Sequence, residues 1–208
     1  MDASVKPRTL VLIGGATAAG KTTTAAAIAP LLGAQWFKID TLWRAIREAL
    51  PEGSPERALL HLDNHERLRS ARPEDLRDQH IAASRFICRT LPKAFAAELL
   101  FHETVVADGA WLLPEFVASL VIPEMEVRTR AVFIHEPDAV EVKNTMRRRR
   151  GLPVTASWQR GGAAAWALHG DWLAVEAERY CILVVAARPR ETLTDRVMAA
   201  LALALGPD

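Results

Sequence analysis

Short apolar runs and longer amphipathic segments alternate along the chain. Five runs, at residues 9–13, 36–39, 104–107, 130–134 and 181–186, lack polar alternation, as is typical of strands buried on both faces. A segment with helical periodicity follows each run, and proline or glycine ends several of these segments. The pattern predicts one α/β domain in which a five-stranded parallel sheet carries helices on both faces.

Two stretches are longer than the connections that such a sheet requires between its strands. Residues 50–101 are mostly helical in pattern, and Pro92 is expected to break or kink them. Residues 147–162 combine a run of arginines with a loop that contains glycines. We expect both stretches to be insertions on the sheet core.

Composition excludes several classes of protein. The 208 residues carry 26 basic and 25 acidic side chains, and a net charge of +1 excludes an overall basic character of the kind that binds nucleic acid or an anionic membrane. No apolar run approaches the roughly 18 residues of a membrane-spanning helix. The two cysteines, Cys88 and Cys181, lie in apolar stretches, which predicts buried, reduced thiols and fits the cytoplasm. The histidines show no metal-ligand spacing, and solvated helix positions explain His61 and His65 better.

The residues after the first predicted strand carry the strongest chemical signal. They match the pattern G-x-x-x-x-G-K-S/T in full: Gly15, Ala16, Thr17, Ala18, Ala19, Gly20, Lys21 and Thr22, followed by Thr23. In such a loop the backbone N–H groups point at phosphate oxygens, and the helix that follows adds its N-terminal dipole. Lys21 is expected to bind the β- and γ-phosphates, and the Thr22 hydroxyl to ligate magnesium. The motif predicts a site for ATP and Mg²⁺.

Three classes of nucleotide-binding protein share this loop. A GTPase usually carries an N-K-x-D motif, whereas Lys143 and Asn144 stand in the reverse order here. Motor-type and AAA-type ATPases usually place two acids after a later strand, whereas Asp108 is followed by Gly109. A small-molecule kinase needs a bound acceptor hydroxyl, a carboxylate that orients or deprotonates it, and arginines that offset charge. The sequence favours the kinase.

Asp40 is the candidate catalytic carboxylate. It ends the second predicted strand, at the edge of the sheet where ligands bind in open α/β folds, and it would contact the acceptor. The alternative is that Asp40 only caps the next helix. Arg44 and Arg47 share one face of that helix, where they either bind an anionic acceptor or are solvated, and the sequence leaves both open.

Asp108 ends the third predicted strand and is a candidate for both the magnesium shell and the acceptor. A simple Asp-Gly turn is the alternative. Trp111 follows closely, and Trp36 and Trp43 flank Asp40. Core packing accounts for most tryptophans, and a partly apolar acceptor wall that includes Trp111 is the functional alternative.

Four consecutive arginines, at residues 147–150, close the helix after the fourth predicted strand. They either complement the carboxyl end of the helix or belong to a lid, since a loop containing glycines follows. A closing lid would carry arginines onto the phosphates and exclude water. Arg147 and Arg150 are the candidate catalytic arginines, and the sequence does not decide which of the four reaches the ligand.

These motifs together resemble the adenylate-kinase-like P-loop kinases. Residues 14–23, 39–44 and 105–114 carry the resemblance, and the loop and the Asp40 segment are similar to chloramphenicol phosphotransferase and to 2-phosphoglycerate kinases. The resemblance implies that the loop follows the middle strand of the sheet, that residues 50–101 are a helical substrate-binding insertion and that residues 147–162 are a lid. It also implies that Arg188 lies beside the adenine. Asp108 departs from the phosphoglycerate pattern, which has a glutamate there.

The sequence therefore predicts an ATP- and Mg²⁺-dependent kinase that transfers the γ-phosphoryl group to a hydroxyl of a small molecule, either a metabolite or an antibiotic. One alternative is a non-catalytic ATP-binding sensor module, in which Asp40 would be dispensable. Another is a nucleoside monophosphate kinase, in which Arg44 and Arg47 would bind the acceptor phosphate. The acceptor and the oligomeric state are not predicted.

Overall fold

The computed structural model describes residues 7–62, 70–148 and 162–203. Their strands form one sheet in the order β2-β3-β1-β4-β5, and every neighbouring pair is parallel. The strands are β1 (Arg8–Gly15), β2 (Gln35–Lys38), β3 (Thr104–Asp108), β4 (Val127–His135) and β5 (Leu183–Ala186). The predicted α/β fold class, with the loop-bearing strand in the middle, is confirmed.

The helices connect these strands. They are α1 (Lys21–Leu31), α2 (Ile39–Ala49), α3 (Pro55–Leu60), α4 (Pro73–Cys88), α5 (Leu91–Phe101), α6 (Pro114–Ala118), α7 (Ala139–Arg148), α8 (Ala163–Arg179) and α9 (Leu193–Leu203). The predicted break near Pro92 falls earlier, at Arg89 and Thr90. Pro92 itself lies in the first turn of α5, where the missing N–H of proline costs no intrahelical hydrogen bond.

The central strand β1 is buried on both faces because its alternate residues enter two separate cores. Leu10 and Leu12 pack into one core, together with residues of α4, α5 and α8. Val11 and Ile13 pack into the other, together with residues of α1 and α9. Each of these four side chains is at most 1% exposed, and full burial of such a side chain contributes about 2 kcal/mol.

The prediction of two buried cysteines is correct for Cys88 and wrong for Cys181, which is exposed. The strand β5 begins at Leu183, so Cys181 lies in the turn before the strand rather than within it. In the part of the chain that the structure describes, no helix combines the length and the apolar character needed to cross a membrane.

The structure describes most of the first predicted insertion and little of the second. Helices α3, α4 and α5 occupy the segment at 50–101, and α4 packs against α8. The predicted lid at 147–162 falls largely on residues 149–161, including Arg150, which lie outside the described residues. The roles of both segments stay predictions.

Candidate nucleotide and acceptor site

The loop between β1 and α1 is curled by residues with left-handed backbone angles. Gly15 has a φ of 132°, and a Cβ added there would collide with the carbonyl oxygen of Ile134 on the neighbouring strand. Ala18 has a φ of 71° while fully buried, a conformation that side chains other than glycine rarely adopt. The surrounding packing therefore holds the loop in a conformation that costs free energy locally, as is common at ligand sites.

Lys21 begins α1 and is buried, with its side chain turned back over the loop. Its ammonium group donates a hydrogen bond to the carbonyl oxygen of Ala16 at 2.7 Å. The cation is therefore held within the curl of the loop that is predicted to receive phosphates. This is the position that the motif requires of a lysine that binds the β- and γ-phosphates.

Thr22 and Asp108 meet at the carboxyl end of the sheet. The Thr22 hydroxyl donates to Oδ2 of Asp108 at 2.8 Å, and the indole N–H of Trp36 donates to Oδ1 at the same distance. The Asp108 carboxylate is only 3% exposed, so the two hydrogen bonds fix its orientation. A hydroxyl and a carboxylate oxygen are hard ligands that suit Mg²⁺, which binds few protein groups in addition to phosphates and water. These two residues fit the predicted magnesium site.

Asp40 is held by a tryptophan from a distant part of the chain. The indole N–H of Trp111 donates to Oδ1 of Asp40 at 2.8 Å. The helix α2 begins at Ile39 with Lys38 as its N-cap, so Asp40 lies inside the first turn and is not the cap residue. The alternative of a capping role is therefore wrong. Gly109 allows the end of β3 to approach the start of α2, because a Cβ at this position would lie 2.8 Å from that of Ile39.

Trp43 connects the Asp40 segment to its surroundings. Its ring stacks on that of Trp111, with centroids 4.9 Å apart. The guanidinium groups of Arg44 and Arg47 lie 5.6 and 5.1 Å from the Trp43 ring centroid, and Arg47 also pairs with Glu48. The structure brings Trp111 to Asp40. The acceptor contacts of Trp111, Arg44 and Arg47 stay predictions.

A cleft of about 360 Å³ opens on the α9 side of the loop. We call it the nucleotide cleft, and its lining combines loop backbone, hydroxyl groups and two guanidinium groups. The lining residues are Ala18, Gly20, Thr22, Thr23, Thr24, Thr145, Arg148, Arg190, Leu193 and Thr194. Arg148 belongs to the predicted arginine run, so the structure places one member of that run beside the loop. Arg147, the one of the two candidate catalytic arginines that the structure describes, lies in α7.

Arg190 fastens the outer side of the loop. Its guanidinium donates to the carbonyl oxygens of Ala18 and Ala19, and it pairs with Glu136 at 3.3 Å. Glu136 is 3% exposed and also pairs with Arg188 at 3.2 Å. The Arg188 side chain is thus directed at the end of β4 by an ion pair, and its predicted contact with the adenine stays a prediction.

A cluster of buried aromatic and polar residues lies on the other side of the loop. We call His80, Trp111, Trp166 and His169, together with the buried Ser84 one helical turn after His80, the histidine–tryptophan cluster. The His80 ring stacks on Trp111 and meets Trp166 and His169 edge to face, with centroids 4.4 to 4.9 Å apart. Burial lowers the pKa of His80 to about 4 and lowers the pKa of His169 well below its usual value. Both histidines are therefore neutral near pH 7.

None of the buried histidines of this cluster was among the predicted site residues, although their positions on the helices could have identified them. His80 and Ser84 fall in the apolar period of α4 that includes Leu76 and Ile87, and His169 falls in that of α8. Polar residues at core positions of a helix need partners, so this pattern marks candidate site residues. The hydrogen bonds of Arg190 to the phosphate loop and of Trp36 to Asp108 were not predicted, because the partners are distant along the chain.

The sequence and the fold of the chain can be compared with those of known proteins. No protein-family model and no curated protein sequence matches the chain. A shikimate kinase from Acinetobacter baumannii, solved in complex with shikimate, gives a TM-score of 0.54 at 13% identity and covers 97% of each chain. A gluconokinase from Sinorhizobium meliloti 1021 gives 0.54 at 17% identity, covering 95% of this chain and 93% of that one. A shikimate kinase from Bacteroides thetaiotaomicron gives 0.50 at 16%, covering 94% and 98%.

The chain shares its fold with these solved kinases. At identities this low the likeness shows the fold alone, and it confirms the predicted fold class. The finer resemblance to chloramphenicol phosphotransferase and to 2-phosphoglycerate kinase stays a prediction.

Proposed function

We propose that the protein is an ATP- and Mg²⁺-dependent kinase that transfers the γ-phosphoryl group to a hydroxyl of a small molecule. The observation that carries the proposal is the Asp40 carboxylate, held by Trp111 at the edge of the sheet that also carries Lys21 and the Thr22–Asp108 pair. A kinase needs a fixed carboxylate near the transferred phosphoryl group, whereas a nucleotide sensor does not.

In this proposal each site residue has a separate role. The loop amides and Lys21 bind the phosphates of ATP, and Thr22 and Asp108 hold the Mg²⁺ that neutralises phosphate charge. Asp40 accepts a hydrogen bond from the acceptor hydroxyl and orients its oxygen. That oxygen forms a bond to the γ-phosphorus while the bond from this phosphorus to the β–γ bridging oxygen breaks, and the hydroxyl proton passes to Asp40 and then to solvent.

Arginines complete the charge balance in this proposal. Arg148 and Arg190 line the nucleotide cleft, where they offset the negative charge that moves toward the β-phosphate. Arg147 and Arg150 remain candidates, and we propose that the segment 147–162 closes over the phosphates as a lid. The helical segment at 50–101 contributes α4 to the acceptor side. Exclusion of water by closure would limit hydrolysis of ATP.

The test is acceptor-dependent release of ADP from Mg·ATP. The panel holds phosphoglycerates, sugars, shikimate, gluconate, nucleosides, nucleotides, amphenicols and aminoglycosides. The variant Asp40→Asn should lower turnover by about 10²- to 10⁴-fold with the active acceptor, since it removes the base and keeps the shape. Asp195→Asn, a change at an exposed position on α9, is the matched control and should be neutral.

Three results would count against the proposal. Near-normal turnover in Asp40→Asn would remove the assigned base. Binding of ATP with no turnover on any acceptor would favour the sensor module. A strong preference for nucleoside monophosphates would replace the proposal with the nucleotide kinase.

A further inference from the structure

Five polar atoms in the histidine–tryptophan cluster are buried without a hydrogen-bond partner among the residues that the structure describes. They are Nδ1 of His80, Oγ of Ser84, Nε1 of Trp166, and both ring nitrogens of His169. A buried polar atom without a hydrogen-bond partner is destabilising, and folded proteins rarely leave several of them in one place. Such a group of atoms is best explained if a polar molecule supplies their partners.

These atoms lie beside the proposed reaction centre. Trp111 of the cluster donates its N–H to Asp40, and Trp166 packs in one core with Ala18 of the phosphate loop. His169 precedes Gly170, where an added Cβ would lie 3.4 Å from the Cβ of Ala16. The cluster therefore contacts both the phosphate loop and the proposed base, and under the proposed function this is the region in which the acceptor would bind.

The chemistry of the atoms indicates what they bind. Nε2 of His80 lies 3.1 Å from the carbonyl oxygen of Ala110, and because a carbonyl only accepts, Nε2 carries the proton. Nδ1 of His80 is therefore an acceptor. Trp166 offers a donor, while Ser84 and the neutral His169 ring each offer a donor and an acceptor. Hydroxyl groups, which donate and accept at once, match this mixed set.

Anionic groups match it poorly. A carboxylate or phosphate oxygen only accepts, so it would be repelled by Nδ1 of His80 and by the acceptor nitrogen of His169. Lys21 and Arg77 are the cations that act on the His169 ring. Lys21 is held by the phosphate loop, and Arg77 is paired with Asp78 at 2.7 Å. The cluster itself contains no group that is charged at pH 7.

We propose that the acceptor is a neutral, polyhydroxylated small molecule whose hydroxyl groups are bound by His80, Ser84, Trp166 and His169. The indole rings of the cluster suit the C–H faces of such a molecule, because they are flat and apolar. This inference rests on the proposed function, since it names the substrate class of the same site.

The test compares neutral and anionic members of matched pairs. The pairs are methyl shikimate with shikimate, sorbitol with gluconate, and glucose with glucose 6-phosphate. Binding to the full chain in the presence of Mg·ADP is measured by titration calorimetry and by tryptophan emission. The neutral member of at least one pair should bind tenfold or more tightly than its anionic partner.

The variant Trp166→Phe removes one donor and keeps the ring. It should weaken binding of the neutral ligand by about five- to tenfold, as expected for one hydrogen bond. Trp172→Phe is the matched control on the same helix. Trp172 is half-buried and stacks on His169, with ring centroids 6.3 Å apart, so the variant keeps a ring there and removes none of the five unpartnered atoms; it should change binding less than twofold. Ser84→Ala serves as a second probe if Trp166→Phe fails to fold, as judged by circular dichroism.

The outcomes separate this inference from the proposed function. Equal or tighter binding of the anionic members overturns the inference, as does failure of every neutral probe to bind, which would leave buried water as the partner. An anionic acceptor that is phosphorylated keeps the proposed function and overturns the inference. A neutral ligand that binds through Trp166 without being phosphorylated supports the inference and counts against the proposed function.

Discussion

The two sides of the phosphate loop differ in the polarity and charge of the side chains that line them. The nucleotide cleft is an open cavity lined by threonine hydroxyls, Arg148 and Arg190. The histidine–tryptophan cluster is closed, aromatic and uncharged, with His80 and His169 at most 2% exposed. One side is suited to a highly charged ligand and the other to a neutral one.

The difference shows how one loop can serve two unlike ligands. Under the proposed function, charge on the cleft side would attract ATP and compensate its phosphates, whereas charge on the cluster side would compete for them. A neutral cluster leaves Lys21 and the arginines available to the phosphates. The following experiments test this contrast, in order of decreasing effect.

The largest effect is expected from Lys21→Ala. Removal of the buried ammonium group takes away a preorganised charge, and turnover should fall by about 10³-fold. Lys93→Ala, an exposed lysine on α5, is the control and should leave turnover unchanged. A loss below tenfold in Lys21→Ala would show that the charge on the cleft side is not decisive.

The second effect concerns acid stability on the cluster side. The unfolded chain protonates its histidines below about pH 6.5, whereas His80 in the folded chain resists protonation down to about pH 4. The unfolded state therefore binds more protons between these values, so the free energy of unfolding should fall as the pH falls. His80 accounts for a loss on the order of 3 kcal/mol by pH 4, and His169 acts in the same direction.

Urea unfolding at pH 7, 5.5 and 4.5 measures this loss. His80→Phe, which keeps a buried ring but cannot titrate, should show a flatter pH dependence than the wild type. Asp40 favours the charged form of His80 and Lys21 opposes it, so both charges are kept in the comparison. Identical pH dependence in the two proteins would mean that His80 is hydrated or charged in the folded state.

A smaller effect is expected from Asp108→Asn. The change removes the carboxylate that accepts from Thr22, so the Mg²⁺ dependence of ADP binding should weaken by about ten- to a hundredfold. The shift in thermal unfolding midpoint with Mg·ADP, compared with ADP alone, is the measurement. Asp195→Asn should keep the wild-type shift. An unchanged shift in Asp108→Asn would place the metal elsewhere.

The smallest effect is expected from Trp36→Phe. Loss of the indole N–H frees one oxygen of Asp108 without removing the carboxylate, so Mg²⁺ dependence should weaken by only about fivefold. Trp172→Phe is the control, and the midpoint shift with Mg·ADP is again the readout. If Trp36→Phe matched the wild type, Thr22 alone would suffice to orient Asp108.

The cleft side was the more predictable one because its chemistry is local. The residues of the phosphate loop are adjacent in sequence, and the strand before it is a continuous apolar run that only a doubly buried strand requires. Asp40 and Asp108 were found because the carboxyl ends of parallel strands meet at one edge. The boundaries moved by up to three residues, since apolar runs do not mark where pairing stops.

The cluster side was less predictable because its contacts are distant along the chain. Nε2 of His80 meets the carbonyl oxygen of Ala110 across 30 residues, and the His80 ring meets that of His169 on another helix. No periodicity reports such pairs. Helical spacing does show that His80 and His169 occupy core positions, but only the packing of α4 against α8 shows that they meet.

The sheet order has a consequence for the synthesis of the protein. Thr9 in the central strand pairs with Thr104 on one side and Arg128 on the other, and Gly15 pairs with Ile134. At ribosomal rates of about 5–20 residues per second, roughly 5 to 20 s pass before β1 meets its first partner. Throughout that interval the apolar strand β1 stays unpaired and is prone to aggregate. The phosphate loop after β1 can be completed only later, when β4 has also emerged. Nascent chains of this protein should therefore depend on chaperones most strongly before residue 104 leaves the ribosome.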